Sequence, residues 1–133
     1  MVDDLLNGSM PLRSPNPGQK GIMPPILTVV DLFCGAGGLS LGFLRTGCDI
    51  VVAFDNWNPA VDTYRNNFRD HISALEITQE TDVPTTDIIV GGPPCQGFLS
   101  AGMRRDDDHR NSLVRVFSQI VARVRPHAFS LGT

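Results

Sequence analysis

Short apolar runs separated by glycine, proline or polar breaks recur along residues 26–131. The first, Ile26 to Leu32 (ILTVVDL), is β-branched and apolar and predicts a central strand covered on both faces. Phe33-Cys34-Gly35-Ala36-Gly37-Gly38 then breaks it, and three glycines in four positions let the backbone turn sharply and approach a ligand closely. Leu39 to Thr46 has helical character, and Gly47 is placed to cap its C-terminus. Asp49 to Phe54 predicts a second strand, ending at Asp55. Asn58-Pro59 predicts a helix start as N-cap and first helical residue, with Ala60, Val61, Tyr64 and Phe68 on one face. Ile72 to Ile77 is a weaker strand candidate, and residues 78–86 read as polar turns. Ile88 to Val90 is a short buried strand following Asp87, stopped by Gly91-Gly92-Pro93-Pro94. The best amphipathic pattern comes last. Leu113, Val116, Phe117, Ile120, Val121 and Val124 keep helical spacing behind an Asn111-Ser112 cap, Pro126 ends the helix, and Ala128 to Leu131 begins another strand.

Strands alternating with helices in this way predict an α/β fold, a doubly wound parallel sheet. Residues 1–25 stand apart. Pro11, Pro15, Pro17, Pro24 and Pro25 preclude a long helix, so this stretch reads as a flexible arm ahead of one domain, 26–133.

Composition narrows the function. The net charge of -3 gives no global electrostatic footprint for nucleic acid, which argues against a stand-alone DNA-binding module but leaves local contact open. Three cysteines, Cys34, Cys48 and Cys95, lack metal-type spacing and suggest no disulfide framework, so a reducing, cytoplasmic compartment is expected. No run approaches the ~20 apolar residues of a membrane span, and Met1 to Pro25 has no apolar region of the secretory type.

Candidate chemistry sits where strands end. Open α/β sheets bind ligands outside the carboxyl ends of their strands. The glycine turn after Leu32 opens a helix whose N-terminus suits polar or anionic groups. A dinucleotide fingerprint would want a glycine at position 40, where Ser40 stands, which weakens a nicotinamide reading. Asp55 lies about 20 residues past the first glycine of the turn, the distance at which an acid holds a ribose hydroxyl in nucleotide-type folds. A carboxylate can accept both hydrogen bonds of a vicinal diol, and plain helix capping is the other role open to Asp55. Trp57 packs either near a ligand or on the surface. Cys95 comes directly after the rigid Pro93-Pro94 turn, either as a buried structural thiol or as a nucleophile. The mixed-charge run Ser100 to Arg110 is either a solvated loop or one that closes over a substrate beside Cys95.

Two of these stretches carry a family resemblance. Asp31-Leu32-Phe33-Cys34-Gly35-Ala36-Gly37-Gly38-Leu39-Ser40 resembles the first motif of the DNA (cytosine-5) methyltransferases, and Pro93-Pro94-Cys95-Gln96-Gly97-Phe98 resembles their catalytic motif. Arg110-Asn111-Ser112-Leu113 is similar to the stretch downstream of the catalytic motif in that family. The resemblance implies a Rossmann-like S-adenosylmethionine-dependent methyltransferase fold, incomplete at its C-terminal side, and a restriction–modification type of DNA methylation. It implies cofactor contacts from Asp31, Phe33, Cys34, Gly35, Ala36, Gly37, Asp55, Asn56, Glu76, Ile77 and Pro93. Glu76-Ile77 matches an acidic–apolar pair that reads adenine. Cys95 matches the nucleophile, whose thiolate adds to C6 of a cytosine flipped out of duplex DNA so that C5 can take the methyl group.

The pattern also departs from the family. Leu99 stands where Ser is usual, and Trp57 where an acid is usual. After Arg125-Pro126-His127-Ala128-Phe129-Ser130-Leu131 the family continues with Glu-Asn-Val, whose glutamate assists activation at N3 of the cytosine, whereas Gly132-Thr133 stands here. The expectation is therefore a truncated enzyme, or half of a split enzyme completed by a second polypeptide. A non-catalytic cofactor-binding or nicotinamide-binding domain is the reading from another class. The strand near Phe129 is expected to leave an open apolar sheet edge.

Overall fold

The structure, a computed structural model, describes residues 24–94 and 109–132, with the side chains of 109–111 excepted. The elements run β1 (Thr28–Leu32), α1 (Gly38–Arg45), β2 (Asp49–Asp55), α2 (Asn58–Asn67), β3 (Ile72–Ala74), β4 (Ile88–Gly91), α3 (His109–Val124) and β5 (Ala128–Leu131). The five strands form one sheet in the order β3-β2-β1-β4-β5, and all four pairings are parallel. The chain winds outward from β1 through β2 to β3, then crosses back to β4 and β5. The switch point of the topology therefore lies between β1 and β4.

The helices cover both faces. Val30, Leu32, Phe54 and Ile89 pack with Phe117 and Ile120 of α3, joined by Ile77 and Val83. On the other face Val29, Ile50 and Val90 meet Leu39, Phe43 and Leu44 of α1, while Ala53 and Ile72 meet Val61, Tyr64 and Phe68 of α2. Strand alternation alone would put Ile50 and Ala53 on opposite faces. A register shift beside Val51 places Ile50 and Ala53 on one face and Val52 and Phe54 on the other. Full burial of one such aliphatic or aromatic side chain contributes about 1.5–3 kcal/mol.

Three polar ties fix the frame. Asp87 Oδ2 accepts from the Thr28 amide at 2.9 Å and the Thr28 hydroxyl at 3.0 Å, while the Asp87 amide donates back to Thr28 Oγ1 at 3.0 Å. These bonds lock the starts of β1 and β4 in register. Arg123 of α3 donates to the carbonyls of Gln79 and Thr81, which pins the irregular stretch before β4. Gly47, with φ of 91°, donates to the Leu44 carbonyl at 3.0 Å and ends α1 in the left-handed cap expected of it.

Boundaries differ from expectation at three places. Helix α2 begins at Asn58 with Trp57 as its N-cap, one residue earlier than the Asn-Pro signal suggests, because the Trp57 carbonyl already accepts from Val61 N at 3.1 Å. Helix α3 begins at His109 rather than after Asn111. Strand β3 stops at Ala74, since the chain turns away at Leu75 and leaves Glu76 exposed. Among the described residues β5 has a neighbour on one side only, and Phe129 is 62% exposed there. The stretch expected to be an arm falls almost wholly outside the described residues.

Candidate active site

A cleft of about 310 Å³ opens at the carboxyl ends of four adjacent strands. Phe33 and Gly35 reach it from the turn after β1, Asp55, Asn56 and Trp57 from the end of β2, and Leu75, Glu76 and Ile77 from beyond β3. Gly92 and Pro94 come from the turn after β4, and Leu113 from α3. The volume lies within the range of small-molecule sites.

The sequence dictates this convergence locally. Parallel strands in register end level with one another, with Leu32 paired to both Phe54 and Gly91. Each break that ends a strand is therefore delivered to the same rim. Phe33 has φ of 58° and Gly35 of 55°, so the chain reverses within three residues of the strand end. A left-handed phenylalanine is strained by roughly 1 kcal/mol or more, and the cost is offset by its packing against the α3-side core. Gly37, with φ of 101°, is buried beneath Tyr64 and Phe68, and a Cβ there would collide with the Phe68 ring.

Asp55 stabilises the turn from across the cleft. Its Oδ2 accepts from the Gly35 amide at 2.9 Å and its Oδ1 from the Trp57 amide at 2.8 Å. Each oxygen keeps a lone pair for a further donor. Trp57 lines the cleft although its side chain is 66% exposed, so the two positions offered for it by the sequence coincide.

Of the residues singled out from sequence, the structure brings Phe33, Gly35, Asp55, Asn56, Glu76 and Ile77 together. Pro93 is fully buried beside the lining residue Pro94. Ala36 lies exposed on the turn. Asp31 and Cys34 do not line the cleft. The Cys34 side chain sits in the core with Ala53, Val61 and Tyr64, where burial pushes its thiol far up and the neighbouring Asp31 adds to that. Asp31 is wholly buried, its Oδ2 accepting from Ser40 Oγ at 2.6 Å, and burial pushes its carboxyl up to about 6. Cys95, the expected nucleophile, lies outside the described residues, as does the stretch from Gln96 to Asp108 in the charged loop. Sequence reasoning did not find Leu75, Gly92, Pro94 or Leu113 as cleft residues. For Gly92 and Pro94 the signal was their place at the end of a parallel strand.

An open parallel sheet with its cleft at the topological switch point, a glycine turn after the first strand and an acid after the second defines a Rossmann-like α/β domain. The family model for C-5 cytosine-specific DNA methylase matches residues 27–131, and the chain belongs to that family. It is 43% identical over 108 residues to the type II methyltransferase M.HgiDI of Herpetosiphon aurantiacus, a match that covers 75% of this chain and 34% of that protein. It is 41% identical over 106 residues to M.HgiGI of the same organism, covering 75% of this chain and 84% of that one. A solved structure described as a DNA modification methyltransferase encoded within an E. coli prophage superposes with a TM-score of 0.63 at 35% identity, covering 75% of this chain and 30% of that chain. The chain thus spans about a third of the length of two of these relatives.

Proposed function

We propose that residues 26–133 form the N-terminal part of a catalytic domain that methylates C5 of cytosine in DNA, with S-adenosylmethionine as the methyl donor and Cys95 as the covalent nucleophile. The observation that carries the reading is the cleft itself, in which Pro94, the residue before Cys95, shares one lining with Phe33, Asp55 and Glu76. Family membership and the type II methyltransferase relatives supply the reaction class.

The lining fits the cofactor's chemistry. Asp55 has acceptor capacity for a ribose diol beyond its two backbone bonds. Phe33, Ile77 and Trp57 offer apolar and aromatic surface for a purine, and Glu76 offers an acceptor for its exocyclic amine. The Gly35 backbone, without a Cβ, allows close approach. When bound, S-adenosylmethionine supplies an electrophilic methyl group on a sulfonium.

In this reading the target cytosine is flipped out of the duplex to reach the β4 turn. The Cys95 thiolate forms a C–S bond at C6, and the electron pair displaced from the C5–C6 double bond makes C5 nucleophilic. C5 then bonds the methyl group as the S–CH3 bond breaks and its electron pair stays on the departing thioether sulfur, and C5 gives its proton to water. The thiolate then leaves by β-elimination and restores the double bond. Parts of the relatives beyond the aligned region would hold and read the DNA, on the same polypeptide or on a second one. The coverage of two of those relatives, 34% and 30% of their length, is what supports that division.

Calorimetry of S-adenosylmethionine on the chain tests the cofactor assignment, with saturable binding expected and no heat at millimolar ligand overturning it. For the nucleophile, the chain supplemented with the remaining segments is expected to trap DNA bearing 5-fluorocytosine covalently, and Cys95→Ser to abolish trapping. Undiminished trapping by that variant removes Cys95 from the role.

A further inference from the structure

Behind the glycine turn, on the face away from the cleft, four polar side chains from four segments touch in sequence. Ser40 Oγ lies 2.6 Å from Asp31 Oδ2, Tyr64 Oη 2.9 Å from Ser40 Oγ, and His71 Nε2 2.8 Å from Tyr64 Oη. Asp31, Ser40 and Tyr64 are fully buried, and His71 is half-buried at the end nearest solvent.

Donor counting orders the chain. An ionised carboxylate only accepts, so Ser40 spends its single proton on Asp31. Tyr64 must then spend its proton on Ser40, and His71 must donate from Nε2 to Tyr64. Every bond points the same way, from the surface to a buried carboxylate. The 2.6 Å separation is that of a charge-assisted O–H···O⁻ bond. The other carboxylate oxygen, Asp31 Oδ1, is buried and has no hydrogen-bond partner among the described residues, which favours protonation of this acid.

The chain also closes the turn. Asp31 precedes Leu32 and Phe33 at the end of β1, while Ser40 stands in the first turn of α1, so their bond joins the two ends of the glycine loop. The Tyr64 ring lies where a Cβ on Gly37 would be only 3.0 Å from it. Loosening this chain therefore loosens the loop that carries Phe33 and Gly35 into the cleft.

We propose that His71, Tyr64, Ser40 and Asp31 form a proton-conducting chain, and that loading it at the Asp31 end relaxes the glycine turn and weakens what the cleft holds. When His71 takes a proton from water at Nδ1, the Nε2 proton passes to Tyr64 Oη, the Tyr64 proton to Ser40 Oγ and the Ser40 proton to Asp31. One proton enters, His71 ends as its Nδ1–H tautomer, Asp31 ends neutral, and neither hydroxyl is left charged. The bond to Ser40 then loses its ionic partner.

Other groups bear on both ends. Asp55 and Cys34 face Asp31 from the end of β2 and from the turn. Asp49, Arg69 and Asp70 act on His71, whose burial lowers its pKa, and Asp70 is itself paired with Arg65 at 3.1 Å. Burial and the proximity of Asp55 raise Asp31 to about 6, against the bonds from Ser40. A raised acid takes up its proton as pH falls through that region.

The test is a nuclear magnetic resonance titration of the isotopically labelled full chain without cofactor. The Asp31 carboxyl carbon is expected to titrate with a midpoint near pH 6, and the Gly35 and Gly37 amides and the His71 ring to change in step with it. Tyr64→Phe is expected to split the His71 midpoint from the others, and Asp31→Asn to abolish the glycine shifts while His71 still titrates. Should Tyr64→Phe fail to fold, Ser40→Ala interrupts the same path from α1. Glycine amides that do not move between pH 7.5 and 5, or that move equally in Asp31→Asn, overturn the proposal. The effect on the cleft rests on the cofactor reading above. There S-adenosylmethionine is expected to bind three- to tenfold more weakly at pH 5.5 than at 7.5, with the ratio falling towards one in Asp31→Asn. Absence of binding at both pH values counts against the cofactor reading alone, because the titration decides the proton chain.

Discussion

The Gly35 amide donates to Asp55 Oδ2 at 2.9 Å, so the tip of the turn after β1 is held by the residue that ends β2. Asp55→Ala removes the acceptor for both Gly35 and Trp57. A hydrogen bond to a charged group contributes about 1.5–3 kcal/mol, and the half-exposed setting puts Asp55 at the lower end. We expect Asp55→Ala to weaken S-adenosylmethionine at least tenfold by calorimetry, and Asp55→Asn, which keeps one acceptor, to fall between. Equal affinities would remove Asp55 from the cleft's function.

Gly37 and Gly42 should respond oppositely to alanine. At Gly37 the left-handed φ and the Phe68 ring both oppose a Cβ, whereas at Gly42 in α1 a Cβ meets nothing within 4 Å. Urea unfolding is expected to show Gly37→Ala destabilised by about 2–4 kcal/mol and Gly42→Ala stabilised by roughly 0.5–1 kcal/mol.

Two carboxylates should bend the pH dependence of stability in opposite senses. Asp31 is raised by burial to about 6 from an ordinary 3.8. Its favourable contribution is full below 3.8 and lost as pH rises through about 6. The stability of wild type relative to Asp31→Asn is therefore expected to rise by roughly 1–3 kcal/mol between pH 7.5 and 4.5. Asp87 is lowered by the Thr28 hydrogen bonds, so its contribution is present above its ordinary pKa and lost as pH falls below it. Thr28→Ala should flatten that acid limb, as measured by thermal melts from pH 6 to 2.5.

The thiols should be distinguishable by alkylation. Cys34 is buried and its pKa is pushed well above the ordinary value, whereas Cys48 is half-exposed. In native protein iodoacetamide is expected to label Cys48 and spare Cys34 until denaturant is added, as read by peptide mass spectrometry.

At β5 the exposed Phe129 lies edge-on to Phe117 with ring centroids 6.4 Å apart, on a strand that, among the described residues, is paired on one side only. An apolar strand edge promotes self-association. Sedimentation velocity is expected to show concentration-dependent association of the wild-type chain and its reduction in Phe129→Lys.

The strands and the glycine turn were legible because their signals are local: β-branched runs, then breaks. Phe33 and Asp55 could be placed together from sequence because each comes after a strand, and parallel strands end at one rim, whereas Glu76 was read inside a strand and came to the site only through the family resemblance. The weak candidate at Ile72 to Ile77 proved half as long: the Leu75 amide makes the last rung of the ladder, to the Asp55 carbonyl at 3.0 Å, and the chain then bends and carries Glu76 into the cleft. Strand alternation explains why Asp31, inside the motif, faces α1 and not the cleft. The partnership of Ser40, Tyr64 and His71 was illegible, since it arises only from packing α1 and α2 on one face. Ser40 drew notice only as a missing glycine.

Register works here as a ruler between distant stretches of chain. Leu32 opposite Gly91 sets how far each bend projects beyond the sheet. Losing one residue from β4 would retract the Pro-Pro corner by about 3.3 Å and turn Ile89 to the wrong side. Length of this strand is therefore under tighter constraint than its composition.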